Sequence, residues 1–354
     1  MRDVSRQLLR PSVSILLAVV FWDRFLGGSL FVPICLHPVV LTGNVISAIL
    51  KWMPESVFQH QNSVRGIFAG TVLMLGTLIT CIAAGWCLLI LPTTIFTRIG
   101  ASDHIGVVLS RCLAWFLQLY LVQSALSLQL LCTICLQMAH HLQRGQIDNA
   151  RAQLSWLCSR DPSNLQPEEL AGGTLESLSE NLSDSLVSPL TFYVLLGPLG
   201  AFGFRVANTL DSRVGYRGGR YEFVGKPSAR FDDILNLFPA RLTAVLLALA
   251  SWCLCICRNY KMKNISGERG MKIAWCDASQ CDSPNAGWPM ATMAGILNVC
   301  LEKKGHYYLN KAGSPPDHAI ICVGHDIAQL GGLLAVLLAI AASLIRGDLF
   351  EQEA

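Results

Sequence analysis

Acidic residues with helical spacing stand out in residues 174–190, TLESLSENLSDSLVSPL. Glu176, Glu180 and Asp184 recur at every fourth position, so in a helix they would lie along one face. Three like charges on one face repel each other, and a bound Mg²⁺ ion or arginines from the next polar stretch would have to offset them. A solvated acidic face is the alternative interpretation, but this run leads directly into an apolar segment.

A second acidic group lies in RFDDILNLFPAR, where Asp232 and Asp233 are accompanied by Arg230, Asn236 and Arg241. Oxygen ligands suit Mg²⁺, which shares its coordination with phosphate groups. The grouping therefore predicts a holder for Mg²⁺ and phosphate. Because arginines and acids are roughly balanced here, a network of internal salt bridges is an equally good interpretation of the same residues.

We expect the two acidic groups to act together, with Glu180, Asp184, Asp232 and Asp233 in one Mg²⁺-dependent phosphate site. Each pair alone is a like-charge cluster, and both pairs adjoin apolar segments, where repulsion is poorly screened. Bringing the pairs together without a cation would be strongly unfavourable. With Mg²⁺ and a phosphate between them, the same arrangement becomes a binding site.

The elements that must position these residues are apolar helices. The chain has 354 residues, of which 52% are hydrophobic and 14% charged, whereas soluble domains average about 25% charged residues. Such a chain cannot cover a globular surface with polar groups, so lipid must solvate part of it. We predict an all-α, multi-pass helical integral membrane protein of the cytoplasmic (cell) membrane, with amphipathic helices and polar loops on the cytoplasmic side.

Stretches of about 20 apolar residues, long enough to cross the hydrocarbon core, define the predicted spans. They are 66–91, 106–138, 238–257 and 327–345, with weaker segments at 13–31 and 186–207. The last segment contains Pro189, Gly197 and Pro198, which predicts a broken or re-entrant helix. All of them belong to one predicted membrane domain, residues 1–354.

Two polar helices are predicted between the spans. Residues 139–159 place Ile147, Ala150 and Leu154 on one face, as in an amphipathic helix outside the membrane core. Another helix starts at Pro167, because proline and acids favour a first turn. The section that follows the weak span, residues 205–236, is the most polar part of the chain and is rich in glycine and arginine.

Positive charge predicts the orientation of the chain in the membrane. The N-terminus and residues 205–230 and 258–272 are rich in arginine and lysine, which favours the cytoplasmic side for all three. Simple alternation of six full spans cannot place all three there. At least one weak segment is therefore predicted not to cross, and the broken segment after Asp184 is the first candidate.

Common motifs of nucleotide, hydrolase and zinc sites are absent from the sequence. Gly225-Lys226 resembles part of a phosphate loop, but its spacing from Gly219 is one residue too long and Pro227 stands where Ser or Thr is needed. No GxSxG, HExxH or paired CxxC pattern occurs. Most of the 14 cysteines lie in apolar runs, where cysteine behaves as a small hydrophobic residue.

Four polar stretches, in this order, resemble the signature of the adenosylcobinamide-phosphate synthase family, the CbiB/CobD type of late cobalamin biosynthesis. The matching segments are HPVVLTG, TLESLSENLSDSLVSPL, RVANTLDSRVGY with the following GRYEFVGKPSARFDDILNLFPARLTA, and SPNAGWPMATMAGIL. LCSRDPSNLQPEEL also resembles the family's link before this acidic helix. The resemblance extends from about residue 13 to residue 327, with departures near both ends.

The resemblance implies ATP-dependent formation of an amide between adenosylcobyric acid and aminopropanol phosphate, or a related amino-alcohol phosphate. ATP is then a cosubstrate, Mg²⁺ assists it, and no permanently bound cofactor is expected. Glu180, Asp184, Asp232 and Asp233 are the implied catalytic and Mg²⁺-binding residues. The implied substrate-binding residues are polar side chains of the four stretches, namely His37, Asn181, Asn208, Asp211, Arg213, Arg230, Asn236, Arg241, Ser283 and Asn285.

Specific roles are expected for some of these substrate-binding residues. Arg213, Arg230 and Arg241 are expected to clamp phosphate groups through bidentate hydrogen bonds. His37 and Asn285 stand in tight-turn contexts, where side chains often cap backbone groups. We therefore expect both to shape the site without transferring a proton.

Two other classes of protein remain as alternatives. In a transporter, polar motifs in broken helices would line a pathway at the membrane midplane, whereas here the motifs are predicted in long polar loops outside the spans. The other alternative is a non-catalytic membrane scaffold for enzymes of corrinoid synthesis. The partners expected for the enzyme are the corrinoid, the amino-alcohol phosphate, ATP, membrane lipid and other late-pathway membrane enzymes, with no nucleic acid.

Overall fold

The structure of the chain, a computed structural model, describes residues 10–26, 33–58, 63–99, 104–158, 160–257 and 265–352. Within these ranges the fold is helical, apart from one two-stranded antiparallel sheet, β1 (Leu301–Lys303) and β2 (Tyr307–Leu309). In chain order the helices are α1 (Val13–Leu26), α2 (Pro38–Trp52), α3 (Ser63–Arg98), α4 (His104–Gln123), α5 (Leu128–Gln143), α6 (Ile147–Leu154), α7 (Pro167–Leu182), α8 (Ser188–Leu196), α9 (Pro198–Val214), α10 (Lys226–Cys257), α11 (Gly267–Asp277), α12 (Gly287–Leu297) and α13 (His318–Gln352).

Among the described residues, four helical segments are long and apolar enough to cross a membrane. They are Ser63–Arg98, His104–Gln143, Lys226–Ile256 and His318–Arg346. They coincide with the four stronger predicted spans, and the predicted multi-pass helical fold class is confirmed. The predicted span 106–138 is not one continuous helix, however, because a turn at residues 124–127 separates α4 from α5.

The two weaker predicted segments are also helical where the structure describes them. α1 covers residues 13–26 of the predicted 13–31, and residues 27–31 lie outside the described part. Residues 186–207 are interrupted as expected, since Gly197, with a φ of 70°, separates α8 from α9.

Two polar sections differ from the sequence-based expectation. Residues 205–236 are mainly helical and not a long loop. The continuation of α9 to Val214 agrees with the helical spacing of Arg205, Asn208, Asp211 and Ser212, whereas α10 already begins at Lys226. Hydropathy places the start of α10 too late, since its first turns carry polar residues. The predicted amphipathic helix 139–159 is interrupted at Gly145, which has a φ of 66°, although α6 buries Ala150 and Leu154 as expected.

The acidic helix is regular only as far as Leu182. α7 begins at the predicted Pro167, and the Glu169 carboxylate accepts a hydrogen bond from the Gln166 N–H at 2.8 Å. A π-helical turn, Ser183–Val187, then joins α7 to α8. A π turn holds an extra residue, and such turns occur frequently at functional sites.

The chain divides into two compact units, and each is described by itself. The first comprises Met1–Leu126, Pro189–Leu235 and Ala339–Ala354, and the second Ser127–Ser188 and Asn236–Leu338. In the first unit α2, α3, α4 and α9 pack around apolar side chains, among them Ile46, Leu73, Leu89, Leu121, Phe202, Val206 and Leu210. In the second unit α7 packs on α5 and α12, and α11 packs on α12. The single predicted domain stays a prediction.

Candidate functional site

The predicted site residues fall into two groups, one in each unit. The first unit contains His37, Asn208, Asp211, Arg213, Arg230, Asp232 and Asp233. The second unit contains Glu180, Asn181, Asp184, Asn236, Arg241, Ser283 and Asn285. Each group is described within its own unit, and the expectation that the four acids share one ion stays a prediction.

In the first unit, Arg205, Asn208 and Asp211 of α9 lie beside Asp232 and Asp233 of α10, and we call this group of side chains the polar seam. The Arg205 guanidinium donates to Asn208 Oδ1 at 3.2 Å, and Asn208 Nδ2 donates to Asp232 Oδ1 at 3.5 Å. Asp232 is only 8% exposed. A buried carboxylate requires hydrogen-bond donors, and Asn208 supplies one that orients the Asp232 side chain.

Asp211 and Asp233 form a like-charge pair along the same seam. Burial of Asp211, together with the neighbouring Asp233 carboxylate, raises the pKa of Asp211 to about 6. Asp233 has a cationic neighbour, since Arg230 Nη1 lies 3.6 Å from its Oδ2. Ionised Asp211 is therefore destabilised by burial and by its acidic neighbour. A cation bound beside the seam would stabilise this negative charge.

His37 has the capping role expected of it. Its Nδ1 accepts a hydrogen bond from the Val39 N–H at 3.3 Å, at the position directly before α2. Burial and the nearby Arg205 guanidinium lower the pKa of His37. A neutral ring is what this cap requires, because a protonated Nδ1 could not accept the bond.

Arg213 connects two of the motif segments. Its Nη1 donates to Ser47 Oγ at 3.4 Å, and its guanidinium lies against Gly43, where a β-carbon would be 2.5 Å from Nη2. Glycine in HPVVLTG thus makes room for the arginine of RVANTLDSR. The Arg213 side chain is otherwise exposed and accessible to an anion.

In the second unit, the three acids spaced four residues apart, Glu176, Glu180 and Asp184, do not form one exposed row. Glu176 is 4% exposed, and Arg160 Nη2 donates to its Oε2 at 2.6 Å. The cation that offsets Glu176 therefore comes from the segment before the helix, not from the next polar stretch. Glu180 and Asp184 are half-buried, and Asp184 lies in the π-helical turn.

Two asparagines predicted to bind substrate have structural bonds within the second unit. Asn181 Nδ2 donates to the Ser177 carbonyl at 2.9 Å, one turn earlier in α7. Asn236 is 3% exposed, and its Oδ1 accepts a bond from Ser188 Oγ at 2.6 Å. Asn236 thereby ties α10 to the residue that follows the π-helical turn.

Arg241 orients the SPNAGWP segment. Its Nη1 donates to Asn285 Oδ1 at 2.8 Å, and its guanidinium lies 4.9 Å above the Trp288 ring. Ser283 Oγ accepts from the backbone N–H groups of Asn285 and Ala286 at 3.2 and 3.4 Å. Ser283 is thus a capping residue of this turn, whereas the Asn285 side chain holds the arginine.

Within the described part of the chain, no group of three or more His, Cys, Asp and Glu side chains is placed to hold a metal ion. Mg²⁺ usually needs only one or two carboxylates, because waters and substrate phosphates complete its coordination. The paired acids of the seam, Asp211 with Asp233 and the adjacent Asp232, suit that mode. The residues present thus fit Mg²⁺ as an ion that arrives with phosphate.

Sequence reasoning missed Arg160 and Ser188, the partners of Glu176 and Asn236. Arg160 stands in LCSRDPSNLQPEEL, one of the segments that carry the family resemblance, and that was the available indication. No local spacing pairs it with Glu176. Such partners belong to tertiary packing, which the sequence pattern does not encode directly.

Comparison with known proteins agrees with the motif segments. Residues 15–326 match the family model described as CobD/Cbib protein. "Cobalamin biosynthesis protein CobD" of Dehalococcoides mccartyi is 45% identical over 168 residues, which are 48% of this chain and 51% of that protein. "Probable cobalamin biosynthesis protein CobD" of Methanothermobacter thermautotrophicus is 32% identical over 331 residues, 94% of this chain and 97% of that protein.

A third relative, "Cobalamin biosynthesis protein CobD" of Klebsiella pneumoniae, is 36% identical over 203 residues, or 57% of this chain and 61% of that protein. The alignments with the Dehalococcoides and Klebsiella proteins thus span about half to three fifths of those relatives. No solved structure matches. The chain is a multi-pass helical membrane protein, and it belongs to the CobD/CbiB family of cobalamin biosynthesis.

Proposed function

We propose that this chain is an adenosylcobinamide-phosphate synthase, which joins adenosylcobyric acid to aminopropanol phosphate, or a related amino-alcohol phosphate, by ATP-dependent amide formation. The observation that carries the proposal is the match of residues 15–326 to a family of cobalamin biosynthesis. The motif acids lie on α7 and α10 or in the turn after α7, and α10 is itself long enough to cross a membrane. A site next to lipid suits a bulky, amphipathic corrinoid.

The reaction has two steps that the site must support. A carboxylate is a poor electrophile, so a carboxylate oxygen of the corrinoid takes the terminal phosphoryl group of ATP, which releases ADP and leaves an acyl phosphate. The unprotonated amine then attacks the acyl carbon, and phosphate leaves as its bond to that carbon breaks. The nitrogen gives up one proton as it becomes the amide N–H. Both steps require bound phosphate groups and stabilised oxyanions.

Arg213 and Arg230 are the proposed phosphate ligands. Both side chains are exposed, and Arg230 is only loosely paired with Asp233 at 3.6 Å. A planar guanidinium binds two phosphate oxygens at once. Arg241, expected to share this role, is instead proposed to orient the SPNAGWP segment, because its guanidinium is engaged by Asn285 and Trp288.

Asp232 and Asp233 are proposed to hold Mg²⁺ in the first unit, with Asn208 orienting Asp232. In the second unit, Glu180 and Asp184 stay candidates for the same function. When bound, Mg²⁺ supplies positive charge to the phosphate oxygens. Asp211, with its pKa raised to about 6, adds an acid that is partly protonated near neutral pH.

The direct test is a product assay on the purified protein in lipid nanodiscs. The protein is incubated with adenosylcobyric acid, ATP and MgCl₂, with aminopropanol phosphate and ethanolamine phosphate in parallel reactions. We expect an amide whose mass is that of acid plus amine less one water, with one ADP and one phosphate per amide. A folded protein that forms no amide with either amine would refute the proposal.

A transporter is the second candidate, and one observation favours it. Asp232 and Asp233 lie on a helix long enough to cross a membrane, not in a loop outside the spans as expected, and Gly197 breaks a neighbouring helical segment. Broken helices with polar residues are typical of transporters. Corrinoid uptake into proteoliposomes without amide formation would support this candidate, and neither activity would favour a scaffold.

A further inference from the structure

A partly buried polar cluster in the second unit contains Glu176, Tyr307 and Cys281, which have no role in the proposed reaction, beside Glu180, which is so far only a candidate for Mg²⁺. Glu176 and Glu180 lie on α7, Tyr307 lies on β2, and Cys281 precedes α12. Arg160 occupies Oε2 of Glu176 at 2.6 Å. The other carboxylate oxygen, Oε1, is buried and has no hydrogen-bond partner within the described residues.

An unsatisfied carboxylate oxygen in the interior is costly. Leaving a buried acceptor without a donor costs about 1–3 kcal/mol, and more for a charged group. The neighbouring Tyr307 hydroxyl lies within hydrogen-bonding reach of the Glu176 carboxylate, and it also contacts Met290 Sδ, a weak acceptor, at 4.0 Å. Oε1 of Glu176 is therefore a buried acceptor without a donor, and the oxygen of the half-buried Tyr307 hydroxyl is a second acceptor beside it that a ligand with N–H donors would contact.

Carboxylates surround the Cys281 thiol and the Tyr307 hydroxyl in this cluster. Burial, together with the Glu180, Glu176 and Asp282 carboxylates, raises the pKa of Cys281 to about 12, and Lys303 opposes them. Burial also raises the pKa of Tyr307, and the Glu176 carboxylate adds to this. The thiol and the hydroxyl stay neutral. Burial also raises the pKa of Glu176, so a cation that binds there would stabilise its ionised carboxylate.

Ser183 extends the row of acceptors along the helix. It lies seven residues after Glu176 and three after Glu180, so helical spacing places all three on one face. Ser183 is 3% exposed, and its Oγ has no hydrogen-bond partner within the described part of the chain. Two separate buried oxygens on this face thus lack donors.

We propose that Glu176 Oε1, the Glu180 carboxylate and the Tyr307 hydroxyl bind the primary ammonium group of the amino-alcohol phosphate. The inference rests on the proposed function, since it assigns the amine half of the substrate to this cluster. An ammonium carries three N–H donors, which match these three acceptors. Mg²⁺ is a poorer occupant because it requires near-octahedral oxygen ligands, and a water molecule would gain little from the carboxylates.

Equilibrium binding separates this inference from the reaction. Calorimetric titration of the protein in nanodiscs, without ATP or corrinoid, compares aminopropanol phosphate with isopropyl phosphate, which lacks the amine. We expect the parent protein to prefer the amine by about tenfold or more, which corresponds to about 1.4 kcal/mol. Glu176→Gln and Tyr307→Phe should each reduce that preference to less than about threefold and leave isopropyl phosphate binding unchanged.

Matched controls lie next to the test residues. Glu169→Gln removes another carboxylate of α7, one that pairs with Lys304 at 2.5 Å, and Tyr308→Phe removes the hydroxyl of the adjacent, exposed tyrosine. Both should keep the parent preference. Size-exclusion profiles and thermal melting report folding, and if Glu176→Gln does not fold, Tyr307→Phe still carries the test.

Specific outcomes would overturn the inference. Equal binding of the two phosphates by the parent protein would do so, as would an unchanged preference in folded Glu176→Gln and Tyr307→Phe. If Glu180→Gln altered only the Mg²⁺ dependence of phosphate binding, the occupant would be the metal. Failure to form amide in the product assay would leave this binding result intact, so the two proposals fail separately.

Discussion

Replacing Asp211 with asparagine should stabilise the protein, by an amount that depends on pH. Burial and Asp233 raise the pKa of Asp211 from 3.8 to about 6, so the ionised carboxylate is less stable in the folded state than in the unfolded state. For an acid with a raised pKa, stability is lost as pH rises from the unfolded to the folded value. Asparagine carries no charge and avoids this loss.

The magnitude follows from the two pKa values. Above pH 6 the full difference applies, about 3 kcal/mol, whereas at pH 4.5 only about 1 kcal/mol is lost. The advantage of Asp211→Asn over the parent should therefore grow from about 1 to about 3 kcal/mol between pH 4.5 and pH 8. These figures are upper values, because the asparagine amide must also find partners in the seam.

The assay is reversible unfolding in mixed lipid–detergent micelles by titration with SDS, repeated across this pH range. Asp148→Asn serves as the control, because the Asp148 side chain is 97% exposed. This substitution also removes a carboxylate, but one whose ionised form carries no cost of burial. A gain that does not change with pH, or a loss of stability at pH 8, would show that Asp211 is not held at an electrostatic cost.

The remaining predictions concern the ion pair of α7, the seam and the orientation in the membrane. Arg160→Met should lower the free energy of unfolding by about 3–5 kcal/mol in the same assay, because it leaves the buried Glu176 carboxylate unpaired. Arg220→Met, at an exposed ion pair, should lower it by about 1 kcal/mol or less. Equal losses would contradict the burial argument. Asp232→Asn should lower turnover more than about tenfold, at least 1.4 kcal/mol of transition-state stabilisation, and parent rates across a Mg²⁺ titration would refute the ion-binding role. Cysteines placed at Ser212 and Ser283 should react with membrane-impermeant reagents only from the cytoplasmic face, so labelling of either in intact cells would refute the proposed cytoplasmic location.

Much of the fold could be predicted from the sequence because its helices are defined by local properties. The apolar run that becomes α3 is long enough to cross the hydrocarbon core, and Pro167 with its following acids marks the start of α7. His37 beside Pro38 indicated a cap, and the bond to Val39 confirms it. These features depend on neighbours within about one helical turn.

The features that sequence reasoning missed depend on distant partners. Hydropathy placed the start of α10 too late, because Asp232 and Asn236 are polar and lower the hydropathy of its first turns. Both are nevertheless buried, where they hydrogen-bond to Asn208 and Ser188. In the same way, the spacing of the acids in α7 gave no indication of which would be buried. Only the packing of the preceding segment against the helix decides that point.

The π-helical turn Ser183–Val187 sets the angular relation between two parts of one long helix. The part before it must keep Glu176 against Arg160, and the part after it must keep Ser188 against Asn236. In a regular α-helix each residue advances about 100° around the axis. The extra residue therefore lets each part present its own side chain to its own partner. The turn thus changes the rotation of one part of the helix relative to the other. Deleting one residue from it would move either Glu176 or Ser188 away from its partner and leave the other contact in place.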